Sequence, residues 1–241
     1  MKKLLLAIGV LSGALFSCKK EETPKVKYEN EADSLRVDYQ KIDTTELKIA
    51  DLPIHIKELD YLIHPIGKIR VNRSSSGSKY SYSSNGDVSY SISNFSNPEI
   101  TGAMNNVMFQ KLDSTSLKPL TDRKMLIQSI TYLDQIAQSS NKKYLLYSVV
   151  DMDSNKDGKY DYNDVKSIYI SKQDGGAFEK LSPNMQEVLD WKIIAVKNRL
   201  YFRTIEDINK NGEFDSTDAI NYFLVDLAKD SLSVETYTPV K

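Results

Sequence analysis

The sequence has almost no cysteine or histidine. Cys18 is the single cysteine among 241 residues, so the chain can form no internal disulfide bond. The two histidines, His55 and His64, lie in the apolar stretch 52–69, where packing within a strand is the expected role. No P-loop, dinucleotide fingerprint or G-x-S-x-G nucleophile motif is present. A pair of carboxylates, as in glycosidases, is therefore the catalytic alternative that stays open.

The sequence also lacks a strong charge imbalance and, beyond residue 18, a long apolar run. Its net charge is −1, so nucleic acid is not an expected partner. No stretch after residue 18 approaches the roughly 18 apolar residues that a membrane-spanning helix needs. The chain instead has 40% apolar residues and 15 tyrosines, a composition that favours strands over helices. We therefore expect a β-rich body that is large enough to bury a core.

The N-terminus has the layout of a secretory signal. Met1-Lys2-Lys3 is positively charged, residues 4–16 are apolar, and Ser17-Cys18 follows. Leu15-Phe16-Ser17-Cys18 resembles the lipobox of bacterial lipoproteins, which implies cleavage before Cys18 and a lipid such as palmitate on its thiol. Residues 1–17 are thus predicted to be a lipoprotein signal peptide. The alternative is an ordinary signal peptide with an incidental cysteine.

The residues after Cys18 predict a tether and a location. Lys19-Lys20-Glu21-Glu22 resembles the charged export signal of Bacteroidota outer-membrane lipoproteins, which implies the cell surface in preference to the periplasmic face. Four charged residues can equally be a solvated spacer. Residues 18–34 are polar, so we predict a flexible tether there and a single β-repeat domain over 35–241.

Three segments of the chain share one pattern. Residues 106–121, 167–183 and 221–239 each consist of a predicted strand, a polar turn, a second strand and a Ser/Thr stop. They recur about every 55–60 residues, which is typical of repeat architectures. Two more predicted strands precede the second segment, over 126–132 and 144–150, and two precede the third. A short helix near 133–139 is an alternative to part of this pattern.

Four strands in a unit of about 55 residues is the plan of a β-propeller blade. Residues 168–182 are similar to the outer strands of TolB-like propeller blades, a resemblance that implies a fold but no activity. We therefore expect an all-β chain with three four-stranded antiparallel repeats in a propeller-like arrangement, and residues 35–70 as a candidate fourth. Propellers close with about four to eight blades, so a β-sandwich-like stack or association of chains are the alternatives.

Two twelve-residue segments, 153–164 and 207–218, fit the pattern D-x-N-x-D/N-G-x-Y/F-D-x-x-D. Ca²⁺ takes six to eight oxygen ligands, which a tight loop presents from positions 1, 3, 5, 9 and 12 and from the main-chain carbonyl at position 7. Glycine at position 6 permits the sharp turn. The predicted ligands of the first loop are Asp153, Asn155, Asp157, the Lys159 carbonyl, Asp161 and Asp164. Those of the second are Asp207, Asn209, Asn211, the Glu213 carbonyl, Asp215 and Asp218.

These loops resemble those of EF-hands, and more closely the dockerin variant with aspartate at position 12. The flanking residues are predicted strands, whereas EF-hand loops lie between helices, so we expect a structural rather than a sensory role for two bound Ca²⁺ ions. The first loop has four carboxylates and the second has three, which predicts tighter binding at the first. The alternative is a pair of Asx-rich turns that bind no metal.

Together these features predict a calcium-binding, lipid-anchored protein of the outer membrane. Its expected role is that of a non-catalytic binding or assembly module with an unidentified protein or glycan partner. The alternative is a surface hydrolase that acts on glycans.

Overall fold

The computed structural model describes residues 24–28, 46–70, 92–94 and 98–240. The predicted signal peptide, Cys18 and Lys19-Lys20-Glu21-Glu22 lie outside these residues. In the described part of the chain, no helix has the length and apolar character that crossing a membrane requires.

The described residues form an almost entirely β structure with one short α-helix. In chain order the elements are β1 Glu46–Ala50, β2 Ile54–His55, β3 Tyr61–Arg70, β4 Ile92–Ser93, β5 Glu99–Met104, β6 Asn106–Lys111, β7 Leu117–Pro119, β8 Leu126–Tyr132, α1 Asp134–Ser140, β9 Tyr144–Val150, β10 Lys166–Lys172, β11 Glu179–Lys180, β12 Gln186–Ile194, β13 Arg199–Glu206, β14 Ala219–Asp226 and β15 Val234–Thr236. For the described residues, the prediction of an all-β fold is therefore confirmed, apart from helix α1.

The strands form three antiparallel sheets that follow one another along the chain. The first sheet has the order β1-β3-β6-β7, with β2 paired to β3. The second has the order β11-β10-β9-β8-β5-β4, and the third the order β12-β13-β14-β15. Each contains a four-stranded path, but β2 enlarges the first sheet, and β4 and β5 enlarge the second. The part of residues 35–70 that is described joins the first sheet and does not form a fourth unit.

The three sheets also share an equivalent backbone hydrogen bond. After the fourth strand of each path, one backbone N–H donates to a carbonyl near the start of the third strand. These bonds are Leu120 N–H to Val107 at 2.9 Å, Leu181 N–H to Ile168 at 2.9 Å, and Tyr237 N–H to Tyr222 at 3.1 Å. The predicted Ser/Thr stops follow at these points, so the three segments have equivalent positions in a repeat-like fold.

Two apolar cores lie between the sheets. The first contains Ile63 and Phe109 of the first sheet together with Ile130 and Tyr147 of the second. The second core contains Leu146 and Ile170 of the second sheet, with Phe202 and Phe223 of the third. The second sheet is thus covered on both faces. This explains why β9, with the sequence YLLYSVV, is apolar at nearly every position and does not alternate.

Helix α1 covers one end of the second core. It spans Asp134–Ser140 and buries Ile136, and Asn141 ends it in the left-handed conformation with φ of 56°. The short helix near 133–139, which the sequence left open as an alternative, is therefore present.

Candidate metal loops

The two acidic loops occupy equivalent places in successive repeats. The first, residues 153–164, links β9 to β10, and the second, residues 207–218, links β13 to β14. Each therefore joins the second and third strands of its four-stranded path. The flanking elements are strands, as the sequence predicts, and not the paired helices of an EF-hand.

The aspartate at position 1 organises each loop in the same way. In the first loop, Asp153 accepts hydrogen bonds from Asp157 N–H at 3.0 Å and from Gly158 N–H at 2.8 Å. In the second loop, the Asp207 carboxylate accepts the corresponding bonds from Asn211 N–H at 3.2 Å and Gly212 N–H at 2.7 Å. The aspartate at position 1 therefore holds the turn of its loop in place through backbone hydrogen bonds.

The aspartate at position 12 closes the other end of each loop. Asp164 accepts from Ser154 N–H at 2.8 Å and from Asp161 N–H at 3.0 Å. Asp218 accepts from Ile208 N–H at 3.2 Å and from Asp215 N–H at 3.0 Å. The side chains at positions 3, 5 and 9 accept from the backbone N–H two residues ahead in both loops.

The backbone conformations also coincide. Positions 4 and 6 have positive φ in both loops, with 56° at Lys156 and 83° at Gly158, and 58° at Lys210 and 85° at Gly212. Glycine is the residue that adopts this conformation without steric cost. The shared consensus therefore encodes one loop conformation, built twice.

Burial distinguishes the two loops. Asn155, Asp161 and Asp164 are 3%, 6% and 1% exposed. In the second loop Asp207 is buried, at 5% exposed, whereas Asn209 and Asp215 are exposed. Burial raises the pKa of the Asp164 carboxyl above its ordinary value, although the backbone N–H groups of Asp161 and Asn155 oppose the shift. A positive charge close to Asp164 would relieve this cost of desolvation.

The ligand chemistry of both loops fits calcium. Carboxylate and amide oxygens are the hard ligands that Ca²⁺ prefers. An oxygen that accepts one N–H hydrogen bond retains a second lone pair for a cation. Within the described residues, however, no group of three or more His, Cys, Asp or Glu side chains already converges as a metal cluster. Several carboxylate oxygens instead accept hydrogen bonds from the loop backbone, as described above.

A five-residue segment near the N-terminus lies against both loops. We call residues 24–28 the strap. Val26 N–H donates to the Gly212 carbonyl at 3.1 Å, and Lys27 N–H donates to the Ser154 carbonyl at 2.8 Å. Val26 is 2% exposed. Sequence reasoning placed these residues in a flexible tether. The alternation of apolar Val26 and Tyr28 with lysines was the one local signal of their packing.

Both histidines have local structural partners. His55 Nε2 lies 3.0 Å from the Leu59 carbonyl, and His64 Nε2 lies 2.9 Å from Gln110 Oε1 on the neighbouring strand β6.

An ion pair that is largely shielded from solvent lies beside the first loop, and it was not predicted from the sequence. Asp151 and Lys180 approach to 2.8 Å, and their side chains are 11% and 17% exposed. Tyr169 and Ser167 also donate hydrogen bonds to Asp151, at 2.8 and 3.0 Å. Burial by itself would raise the pKa of Asp151, but Lys180 and the two hydroxyl groups lower it overall. This carboxylate is held charged and is poorly suited to act as a general acid.

A cleft of about 270 Å³ opens between the second and third sheets. Trp191 and Asp190 line it on one side, and Ser129, Ser148 and Lys166 line it on the other. Asp190 forms two hydrogen bonds with Arg203. Asp190 is the one carboxylate among the described residues that line the cleft.

Comparisons with known proteins identify no family for this chain. No protein-family model matches it, and no curated protein shows a significant match.

Proposed function

We propose that the chain is a calcium-binding, lipid-anchored protein of the cell envelope that serves as a non-catalytic binding or assembly module. The observation that carries the calcium assignment is the pair of loops. They lie at the same place in successive repeats, have the same positive-φ positions and share the same pattern of backbone hydrogen bonds. One Asx-rich turn is a common surface feature. Two such loops with oxygen ligands at the same positions are expected of a duplicated cation site.

Calcium would have a structural role in these loops. In the first loop, Asp153 follows strand β9 and Asp164 precedes β10. In the second loop, Asp207 follows β13 and Asp218 precedes β14. A cation shared by the two ends would hold adjacent strands together without moving a helix. It would also offset the negative charge of the carboxylates in each loop.

The proposed location follows from Cys18. A lipid on this residue would hold the chain to the outer membrane, at the cell surface or the periplasmic face. Calcium sites of low affinity, which a calcium-rich space can fill, are typical of modules outside the cytoplasm. The lipid anchor and the loops therefore support the same compartment.

The propeller-like arrangement belongs to the same proposal. The second sheet has one neighbouring sheet on each face, as an internal blade would. A closed propeller needs more blades than three, so the alternatives are an open, β-sandwich-like stack and an assembly of several chains.

The third sheet supports a binding role. Phe202 and Phe223 pack into the core, so the alternating residues Tyr201 and Tyr222 lie on the opposite face. Both contact Tyr237, with ring centroids 5.5 and 5.8 Å apart. Half-exposed tyrosines are typical of surfaces that bind proteins or glycans.

The alternative function, hydrolysis of glycans, has weaker support. The Trp191 cleft could stack a sugar ring, but a glycosidase needs two carboxylates about 5–10 Å apart. Among its described lining residues the cleft offers Asp190 alone, and Arg203 pairs with that side chain. Within this cleft, the geometry therefore favours binding over catalysis.

Thermal unfolding tests the calcium proposal. We expect saturating Ca²⁺ to raise the melting temperature of the full chain, and a chelator to lower it. Mg²⁺ should have a smaller effect, because it dehydrates reluctantly and needs near-ideal octahedral geometry. The double variant Asp153→Ala/Asp207→Ala should lose the calcium effect, and Asp122→Ala, an exposed carboxylate outside the loops, should retain it. An identical melting temperature in calcium and chelator would exclude a structural metal.

Metabolic labelling tests the anchor. Cells that express the wild-type chain with a labelled fatty acid should incorporate the label, and the Cys18→Ser variant should not. An unlabelled wild-type chain would contradict the lipoprotein proposal while leaving the calcium proposal intact.

A further inference from the structure

The strap contacts a proposed ligand residue of the second loop directly, and it reaches one of the first loop through Ser154. Tyr28 donates a hydrogen bond from its hydroxyl to the Asp207 carboxylate at 3.0 Å. The Ser154 hydroxyl donates to the Lys25 carbonyl at 2.8 Å and lies 3.2 Å from the Asp164 carboxylate. Asp207, at position 1 of the second loop, therefore contacts the strap directly. Asp164, at position 12 of the first loop, is connected to the strap through Ser154.

The strap is also held by main-chain and ionic contacts. Its two backbone donors reach Gly212 of one loop and Ser154 of the other, at 3.1 and 2.8 Å. Lys25 forms an ion pair with Glu187 of β12 at 2.8 Å, and the Glu187 side chain is 13% exposed. The strap therefore contacts both loops and connects them.

Gly212 permits this close approach. A Cβ atom at Gly212 would lie 2.4 Å from the Val26 carbonyl oxygen and 2.9 Å from Pro24 Cβ. At Gly158, the equivalent position of the first loop, a Cβ atom would meet nothing within 4 Å. Gly158 and Gly212 have nearly the same positive φ, so both permit the turn of their loop. The absence of a side chain at Gly212 has a second role, because it leaves room for the strap.

We infer that docking of the strap is coupled to calcium binding by the two loops, so that the cation determines how closely the folded body is held to its lipid anchor. This inference rests on the proposed function, both for the metal and for the lipid on Cys18. The strap makes its contacts to groups that a bound cation would order, namely the Ser154 and Gly212 carbonyls and the Asp207 carboxylate. A ligand that orders these groups lowers the entropic cost of docking, and the strap in turn favours the ordered loops.

The coupling would change the reach of the anchor. Five residues lie between Cys18 and Pro24, and the six Cα–Cα steps that join the two residues span at most about 20 Å. With the strap docked, the loop end of the body therefore lies within about 20 Å of the lipidated residue. With the strap released, about 28 residues separate Cys18 from β1, and their extended length is roughly 95 Å.

Hydrogen–deuterium exchange and calorimetry on the full chain in detergent micelles test the coupling. We expect Ca²⁺ to slow amide exchange in the strap by about five-fold or more relative to chelator. Val26→Asp places a charge at a site that is 2% exposed, outside both loops, and should weaken calcium affinity by a similar factor. The same substitution at Val196, which is 92% exposed, is the control and should leave both quantities unchanged.

The outcomes separate the inference from the proposed function. If calorimetry detects no calcium binding by the wild type, the proposed function fails and the coupling fails with it. If calcium binds but strap exchange is unchanged, or if Val26→Asp keeps the wild-type affinity, the coupling alone is overturned.

A second pair of variants tests the contact directly. Gly212→Ala should accelerate strap exchange in calcium, because the new methyl group meets Val26, whereas Gly158→Ala introduces the same φ strain without that contact. Equal acceleration in both variants would show that loop strain controls the exchange, and it would overturn the inference.

Discussion

The hydroxyl of Tyr28 donates a hydrogen bond to the carboxylate of Asp207, 179 positions further along the chain, at 3.0 Å. Burial and this hydrogen bond raise the pKa of Tyr28 to about 12. The contact joins the N-terminal strap to the first proposed ligand of the second loop. The strap and the proposed metal sites are therefore one structural unit.

Replacement of Tyr28 by phenylalanine should destabilise the chain modestly. The variant loses a hydrogen bond to a buried carboxylate while keeping the aromatic ring. We expect the free energy of unfolding to fall by about 1–2 kcal/mol, as measured by urea denaturation in the presence of calcium. Tyr162→Phe, at a residue that is 55% exposed, is the control and should change it by less than about 0.5 kcal/mol. A loss no larger than that of the control would show that the Tyr28 contact is not formed in solution.

The two loops should bind calcium with different affinities. The first loop has four carboxylates and the more buried ligands, so it should be the tighter site. Calorimetric titration of Asp153→Ala should leave the weaker site, and titration of Asp207→Ala should leave the tighter one. A tighter site in Asp153→Ala than in Asp207→Ala would contradict this order.

Loss of the Asp151–Lys180 ion pair should be costly. Asp151→Asn leaves the Lys180 ammonium group without its opposite charge, and Lys180→Met does the same to the Asp151 carboxylate. In both variants the remaining charge is largely shielded from solvent and incompletely compensated. We expect a loss of about 3 kcal/mol in the free energy of unfolding for Lys180→Met, measured by chemical denaturation.

The exposed pair of Asp190 and Arg203 provides the control for this experiment. Its side chains are 52% and 44% exposed, so Arg203→Met should cost less than about 1 kcal/mol. Similar losses for the two pairs would show that burial does not control their contribution.

Two buried tyrosines should respond oppositely to loss of the hydroxyl group. The Tyr132 hydroxyl is buried and has no hydrogen-bond partner among the described residues. The Tyr147 hydroxyl is buried and lies 2.7 Å from Ser171 Oγ. We expect Tyr132→Phe to leave the free energy of unfolding unchanged or to increase it, and Tyr147→Phe to lower it by about 1–2 kcal/mol. Differential scanning calorimetry of the two variants provides the comparison, and a large loss for Tyr132→Phe would reveal a partner for its hydroxyl group.

Much of the fold could be predicted because the relevant signals are local. The continuous apolar stretch of β9 and the alternation in β13 and β14 are readable in single segments. The acidic loops are also local, since their conformation depends on hydrogen bonds that span no more than ten residues within each loop. Their placement between strands followed from the residues on either side.

Long-range pairings could not be predicted in the same way. Strand β3 pairs with β6 from Tyr61 to Ile66 and with β1 beyond that point. Strands β4 and β5 precede β6 in the chain yet join the second sheet. Period-two patterns show which face of a strand is apolar, but they do not identify the neighbouring strand.

The two acidic loops, the predicted signal and Cys18 could be identified from the sequence by itself, because each is a short run whose chemistry depends on adjacent residues. Tertiary structure alone brought Val26 and Tyr28 of the strap between loops more than 100 residues away, and it buried Asp151 beside Lys180. The physical reason differs between the two contacts. The strap lies between loops that meet when the second and third sheets pack over a shared core, whereas Asp151 meets Lys180 within the second sheet, where β10 pairs with both β9 and β11. Local sequence determines which strands and turns can form, and burial of apolar surface between sheets decides which of their ends meet.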